Sequence, residues 1–318
     1  MQARKFEHFV KNLATLTQRQ RERLLGLLVP QAKLDQAADL VEQLTSPRLA
    51  CPGCGAHRFH KHGRANGLQR YRCRGCGRTC NGLTGTPLAR LRHKGRWLDY
   101  LGGMLASHSI RRAAAELGVA GATSFRWRHR FLALSKNDRP RRLAGIAEAD
   151  EMYMLESHKG SRALERAPRK RGGKATKRGI SNEQMCILVV RDRSGRTLDW
   201  VPGKGPVTPK QLHDHLTGRL EPDVLLVTDG HGAYRAFAHE AGITHEAVNL
   251  KAGTRVRGAI HVQNVNAYHS RLRGWLLPFR GVASRYLGNY LGWRWALDGA
   301  RVNDPGAFLR AALGIFHT

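Results

Sequence analysis

Four cysteines fall in two pairs, Cys51 with Cys54 in CPGC and Cys73 with Cys76 in CRGC, and eighteen residues separate the pairs. Such spacing lets two tight turns aim four thiolates at one tetrahedral zinc ion, and Gly53 and Gly75 give each turn its backbone freedom. Two disulfides are the competing arrangement. It ranks lower because the chain begins MQARKFEHFV, which lacks the apolar core of a secretory signal. His57, His60 and His62 lie between the pairs and read as exposed groups near phosphate rather than as ligands. Cys80 follows the second pair, and Cys186 sits in the apolar run MCILVV as a small buried hydrophobe would.

Carboxylates on strands offer a second kind of chemistry. In DVLLVTDGHGAY the apolar run from Val224 to Val227 reads as a buried strand with Asp229 at its carboxyl end. A carboxylate held there by a rigid strand can bind a metal ion or a catalytic water; capping a helix that begins near His231 is the alternative. Asp150 lies in GIAEADEMYML, an earlier strand. Glu148 and Glu151 flank it and are set aside as ligands, on the expectation that both point to the opposite face. Glu240 and Glu246 are the remaining candidates for a third acid.

These residues need elements to hold them. Residues 1–46 read as two or three short helices, with Phe6, Phe9, Val10 and Leu13 at helical spacing and Pro30 breaking the pattern, a packing or oligomerisation module. Residues 47–90 form a zinc ribbon whose FHKHGR and YRC segments are strand-like. Residues 91–138 form a helix-turn-helix: a helix from Trp97 to about Ser107, then SIRRAAAELGVAGATSFRWRHRFL with its turn at Gly118 to Gly121. Arg126, Arg128, His129 and Arg130 load the second helix with cations for a major groove and its phosphates. From 139 to 318 the pattern turns α/β, interrupted by a basic insertion at 158–178 that stays mobile until it meets DNA. The order strand, strand, strand, helix, strand, helix, strand, helix is that of a ribonuclease-H-like fold, although periodicity alone leaves other α/β sandwiches open.

Charge bounds the partner. With 54 Lys and Arg against 24 Asp and Glu, the formal charge is +30 and points to a polyanion, most often nucleic acid. The hydrophobic fraction of 41% is that of a chain that buries cores, and no apolar run is long enough to span a bilayer. A cytoplasmic protein of bacterial type, associated with the nucleoid, is expected.

The pairing of EADEMY, TDGHGAY and HVQNVNAYHSRLRGW resembles the catalytic domain of zinc-ribbon insertion-sequence transposases, a branch of the DDE superfamily whose third acidic position can be asparagine. LTGTPLARL after the ribbon and the closing YLGNYLGWRWAL extend the likeness over nearly the whole chain. The resemblance implies a catalytic set of Asp150, Asp229 and Asn266 holding Mg2+ or Mn2+, structural Zn2+ on the four cysteines, and movement of a DNA element by a homo-oligomer on DNA. Two divalent ions about 4 Å apart stabilise the attacking and leaving oxygens of an in-line displacement, and Mg2+ needs only one or two carboxylates beside substrate phosphates. If Asn266 opens the last helix, His269 and Arg273 share its face, and Arg273 can grip a phosphate at the element's end; a capping role for Asn266 is the competing reading. His231 is close enough to Asp229 to touch substrate.

The expected protein is therefore multidomain, with a helical N-terminus, zinc ribbon, helix-turn-helix and ribonuclease-H-like catalytic domain. It would bind double-stranded element ends and target DNA, cut phosphodiester bonds and join 3'-OH ends. A DNA-binding regulator or architectural protein with a decayed site, and a structure-selective nuclease, are the alternatives.

Overall fold

In the computed structural model all residues are described except Met1, Glu165, Lys170, Arg171, 249–255, His317 and Thr318. The chain divides into two compact units, one of residues 1–127 with 304–317 and one of 128–303.

The first unit opens with α1 (Ala3–Lys11) and α2 (Gln18–Thr45). Thr17 and Gln20 form a reciprocal capping box that starts α2. Contrary to expectation, α2 runs through Pro30 without ending. The missing N–H of a mid-helix proline costs a hydrogen bond, and packing on the following turn offsets it. Gly95 lies against this turn so closely that a Cβ there would stand 3.2 Å from the Pro30 carbonyl oxygen and 3.1 Å from the Leu34 nitrogen. Lys33 reaches Asp99 at 2.7 Å, while Ala37, Ala38 and Val41 are buried one and two turns later.

A three-stranded antiparallel ribbon follows, β1 (Phe59–Ala65), β2 (Leu68–Cys73) and β3 (Thr79–Cys80). Asn66 and Gly67 join β1 to β2 with φ of 52° and 81°, the left-handed pair that a two-residue hairpin demands. Helices α3 (Trp97–Leu105), α4 (Ile110–Glu116) and α5 (Gly121–Ser135) follow, with a turn at Leu117 and Gly118 between α4 and α5. Ser109 caps α4, and Arg96 holds the turn by donating to the carbonyls of Leu117 and Gly118. Trp97, Tyr100, Leu101, Met104, Ala113 and Trp127 are buried between the helices, with the Tyr100 hydroxyl donating to the Ser124 carbonyl. The helix Pro305–Ala312 completes this unit: it packs on α3 and α2 with Phe308 and Leu309 fully buried.

The second unit is built on a five-stranded sheet. Strands β4 (Ile146–Leu155), β5 (Gln184–Asp192) and β6 (Thr197–Lys204) are antiparallel; β7 (Leu225–Thr228) and β8 (Thr244–Ala247) run parallel to β4, giving the order β6-β5-β4-β7-β8. Helices α6 (Pro209–Leu216) and α7 (Gly232–Ala241) cover one face. Their Leu212, Leu216, Tyr234 and Phe237 form a core with Ala147 and Ala149 of β4 and Leu188 of β5. On the other face lie α8 (Gln263–Leu276) and α9 (Leu287–Asp298). The insertion at 158–178 forms no helix or strand among its described residues; Glu165, Lys170 and Arg171 lie outside them. Its base is tied down, since Lys159 donates to the carbonyls of Phe279, Arg280 and Gly281 and Arg169 to that of Glu156.

Candidate active site and metal centre

The four expected cysteines converge. Their sulfurs all lie within 4.8 Å of one another, with Cys51 Sγ 3.4 Å from Cys76 and Cys54 Sγ 3.6 Å from Cys73. Four thiolates about 2.3 Å from a central zinc would be separated by just under 4 Å, so the set fits a tetrahedral ion. The Gly53 amide donates to Cys51 Sγ, which holds that thiol down to about 6, and the Gly75 amide donates likewise to Cys73. Cys80 is buried outside the ligand set, where burial raises its pKa, and Cys186 is buried in β5.

The register of β4 on β7 runs toward the two carboxylates. Ile146, Ala147 and Glu148 pair with Leu225, Leu226 and Val227, and the same offset carried past the last pair would bring Asp150 of β4 level with Asp229, which directly follows β7. Neighbouring strands lie about 5 Å apart, and paired residues face the same way. Asp229 does not cap α7: His231 takes that place, and Asp229 Oδ1 instead accepts the His231 backbone N–H at 3.0 Å. Among the described residues neither Asp150 nor Asp229 has a Lys or Arg partner, whereas Glu148, Asp192, Asp199 and Asp298 each have at least one. In so basic a protein, two adjacent carboxylates without a cation are a donor set suited to a divalent ion.

Glu151 reports the same proximity from the other face. Burial first, and then the charges of Asp150 and Asp229, push its carboxyl up to about 7, while the hydroxyls of Tyr234 and Tyr153 draw it down. Glu148 is a correction to the expected geometry. Residues two apart on a strand share a face, so Glu148 lies on the side of Asp150, where it is fully buried under α8. Glu240 and Glu246 are engaged elsewhere, with His213 and Arg257.

Asn266 is not a helix cap. The N-cap of α8 is Val262, and Asn266 is an exposed residue of the first turn whose N–H donates to the Val262 carbonyl. One turn on, His269 is buried with Nδ1 3.5 Å from Asp150 Oδ2, so this flank of α8 lies over β4. Arg273 continues the flank and is exposed. Arg128, expected to meet a groove, does not: it is fully buried, its guanidinium 4.8 Å from the Trp293 ring centre and 5.8 Å from that of Phe279. His129 is half-buried and stacks on Tyr286, while Arg126 and Arg130 are exposed. Nothing in the isolated sequence of α5 marks Arg128 as inward, because its aromatic partners arrive from distant helices. Glu148 could have been found, since strand parity alone puts it beside Asp150.

Residues 142–295 match the ISXO2-like transposase domain. The uncharacterized protein in transposable element ISH50 of Halobacterium salinarum is 31% identical over 260 residues, covering 80% of this chain and 87% of that protein. The crystal structure of a pre-cleavage Mos1 transpososome aligns with 68% of this chain and 74% of its own at 14% identity, with a TM-score of 0.29. By its relationship to the ISH50 protein and its matching catalytic segment, the chain belongs to the insertion-sequence transposases with an ISXO2-like domain.

Proposed function

We propose that the protein binds the ends of an insertion sequence, cuts phosphodiester bonds there with Mg2+ or Mn2+, and joins the 3'-OH ends to target DNA. The observation that carries this reading is the pair Asp150 and Asp229, neither with a Lys or Arg partner among the described residues, beside the flank of α8 that bears Asn266, His269 and Arg273. The order of three antiparallel strands followed by two parallel ones supports a ribonuclease-H-like domain around that pair. Asp150 and Asp229 would hold divalent ions, with the Asn266 carbonyl as a neutral third oxygen; such ions stabilise the entering and leaving oxygens of an in-line displacement. Arg273 would grip the phosphate near the cut, with His231 and His269 bordering the pair. The ribbon and helix-turn-helix would recognise the ends, Arg126 and Arg130 meeting phosphate, and homo-oligomerisation on DNA would bring two ends together. No helix among the described residues is long and apolar enough to cross a membrane, and a cytoplasmic, nucleoid-associated protein is proposed.

The test is nicking of a duplex carrying the inverted repeat that flanks the coding region, across a range of Mg2+ and Mn2+ concentrations. Asp150→Ala or Asp229→Ala should abolish nicking and leave end binding nearly intact, because each removes a ligand but no recognition surface. Asn266→Asp should alter the metal profile; wild-type rates and profiles in both Asn266→Asp and Asn266→Ala would remove Asn266 from the site. Binding without nicking by the wild type would identify a regulator, and nicking without joined product a structure-selective nuclease.

A further inference from the structure

The N-cap residue of α8 makes no side-chain cap. Val262 has no acceptor to offer; the Gln263 amide reaches His261 Nδ1 at 3.3 Å, and the Val265 amide needs a partner from elsewhere. Glu148 supplies it from β4: Oε2 accepts the Val265 backbone N–H at 2.9 Å and Oε1 accepts the Asn264 side-chain amide at 2.7 Å. Arg193, in the turn between β5 and β6, approaches Oε1 at 3.1 Å and also donates to the Ala259 carbonyl, while His261 lies 3.4 Å from the same Oε1. The carboxylate has no solvent exposure. A buried charge of this kind is costly and an apolar side chain would also pack α8 on the sheet, so its retention asks for a reason beyond adhesion.

Register supplies the reason. Glu148 meets Val265 and Asp150 meets His269, which are two residues apart on the strand and four apart on the helix. Two strand residues rise about 7 Å and four helical residues about 6 Å, so the two contacts lay α8 along β4 at matching spacing. An apolar contact would tolerate sliding; a slip of one residue turns a helix by about 100° and would carry the Asn266 side chain off the flank. Resting on the transposase reading above, we infer that Glu148 is a positioning residue: an external cap from the strand of Asp150 that fixes the height and rotation of α8, and so of Asn266. It is not a substitute for the missing third acid, because both of its oxygens are already taken by α8 and its approach.

The test compares wild type with Glu148→Gln, and with Asn264→Ala as the milder variant should Glu148→Gln fail to fold. Single-turnover nicking should fall about tenfold or more while affinity for the end duplex stays level, the size of effect usual for groups that orient metal ligands. Hydrogen exchange of the full chain, without added metal, should show faster exchange at 263–269 and unchanged protection in β4, β5 and α9. A wild-type protein that does not nick overturns the transposase reading itself. Wild-type nicking matched by a folded variant, or unchanged exchange at 263–269, overturns the role of Glu148. Loss of nicking in Glu148→Gln with full activity in Asn264→Ala and slow exchange in both also overturns it, in favour of direct metal ligation.

Discussion

Side chains of one chemical type take opposite tasks in this protein according to which face of an element they occupy. Arg126, Arg128 and Arg130 lie within five residues of each other on α5, yet the middle one is enclosed by Trp293 and Phe279 and the outer two are exposed. Arg128→Ala should destabilise the catalytic unit by on the order of 2–4 kcal/mol, from the lost cation–π contact and the cavity left behind. DNA affinity measured well below the melting temperature should not change. Arg126→Ala and Arg130→Ala should do the reverse, each weakening binding and lowering the salt slope by about one while leaving the melting temperature in place. Thermal melts and titrations at several salt concentrations separate the two classes. The same contrast explains what could be read without coordinates. Asp150 lies in a strand and Asp229 directly follows one, both strands marked by apolar runs and turns, so their places in the chain were legible; the neighbours that bury Arg128 come from residues some 150 positions later and leave no local trace.

Among elements, the ribbon depends most on something other than its own packing. Its strands β1 and β3 are short or exposed, and between residues 51 and 80 the buried apolar groups are Leu68 and the cysteines Cys51, Cys73 and Cys80. A segment with so little core would be held by a metal on its four cysteines. Elemental analysis should find one zinc per chain; chelation, or Cys54→Ser, should remove it and unfold β1 and β2 while the five-stranded sheet keeps its melting transition. Cys186→Ala should leave the zinc content unchanged, and a metal-free ribbon that kept its hydrogen-exchange protection would refute the role. Strands β4 and β7 were legible within a residue or two, because apolar runs and Gly or Pro punctuation are local signals. Helix α2 was not. Its passage through Pro30 depends on Gly95, Asp99 and the packing of Leu34, contacts made more than 60 residues away in sequence.

At the scale of the molecule, the N-terminal unit is not continuous in sequence, because the helix Pro305–Ala312 supplies Phe308 and Leu309 to its core. A fragment of residues 1–138, which keeps the whole of α5, should therefore melt well below the same fragment joined by a flexible linker to residues 304–316. Only the joined form should prefer element ends over random duplex, with affinity falling steeply as salt rises because many of the 54 Lys and Arg displace counterions. Equal stability of the two fragments would show that the helix is dispensable. This arrangement also sets a timetable. During translation, the whole of 128–303 emerges before the helix that finishes the first unit, so a nascent chain can carry a formed catalytic sheet while its recognition module is still open. On the proposed reading, competence to grasp DNA then waits for the helix Pro305–Ala312, and a message cut short between Asp229 and Asp304 would yield a polypeptide that has its acidic pair but lacks the helix that completes the first unit.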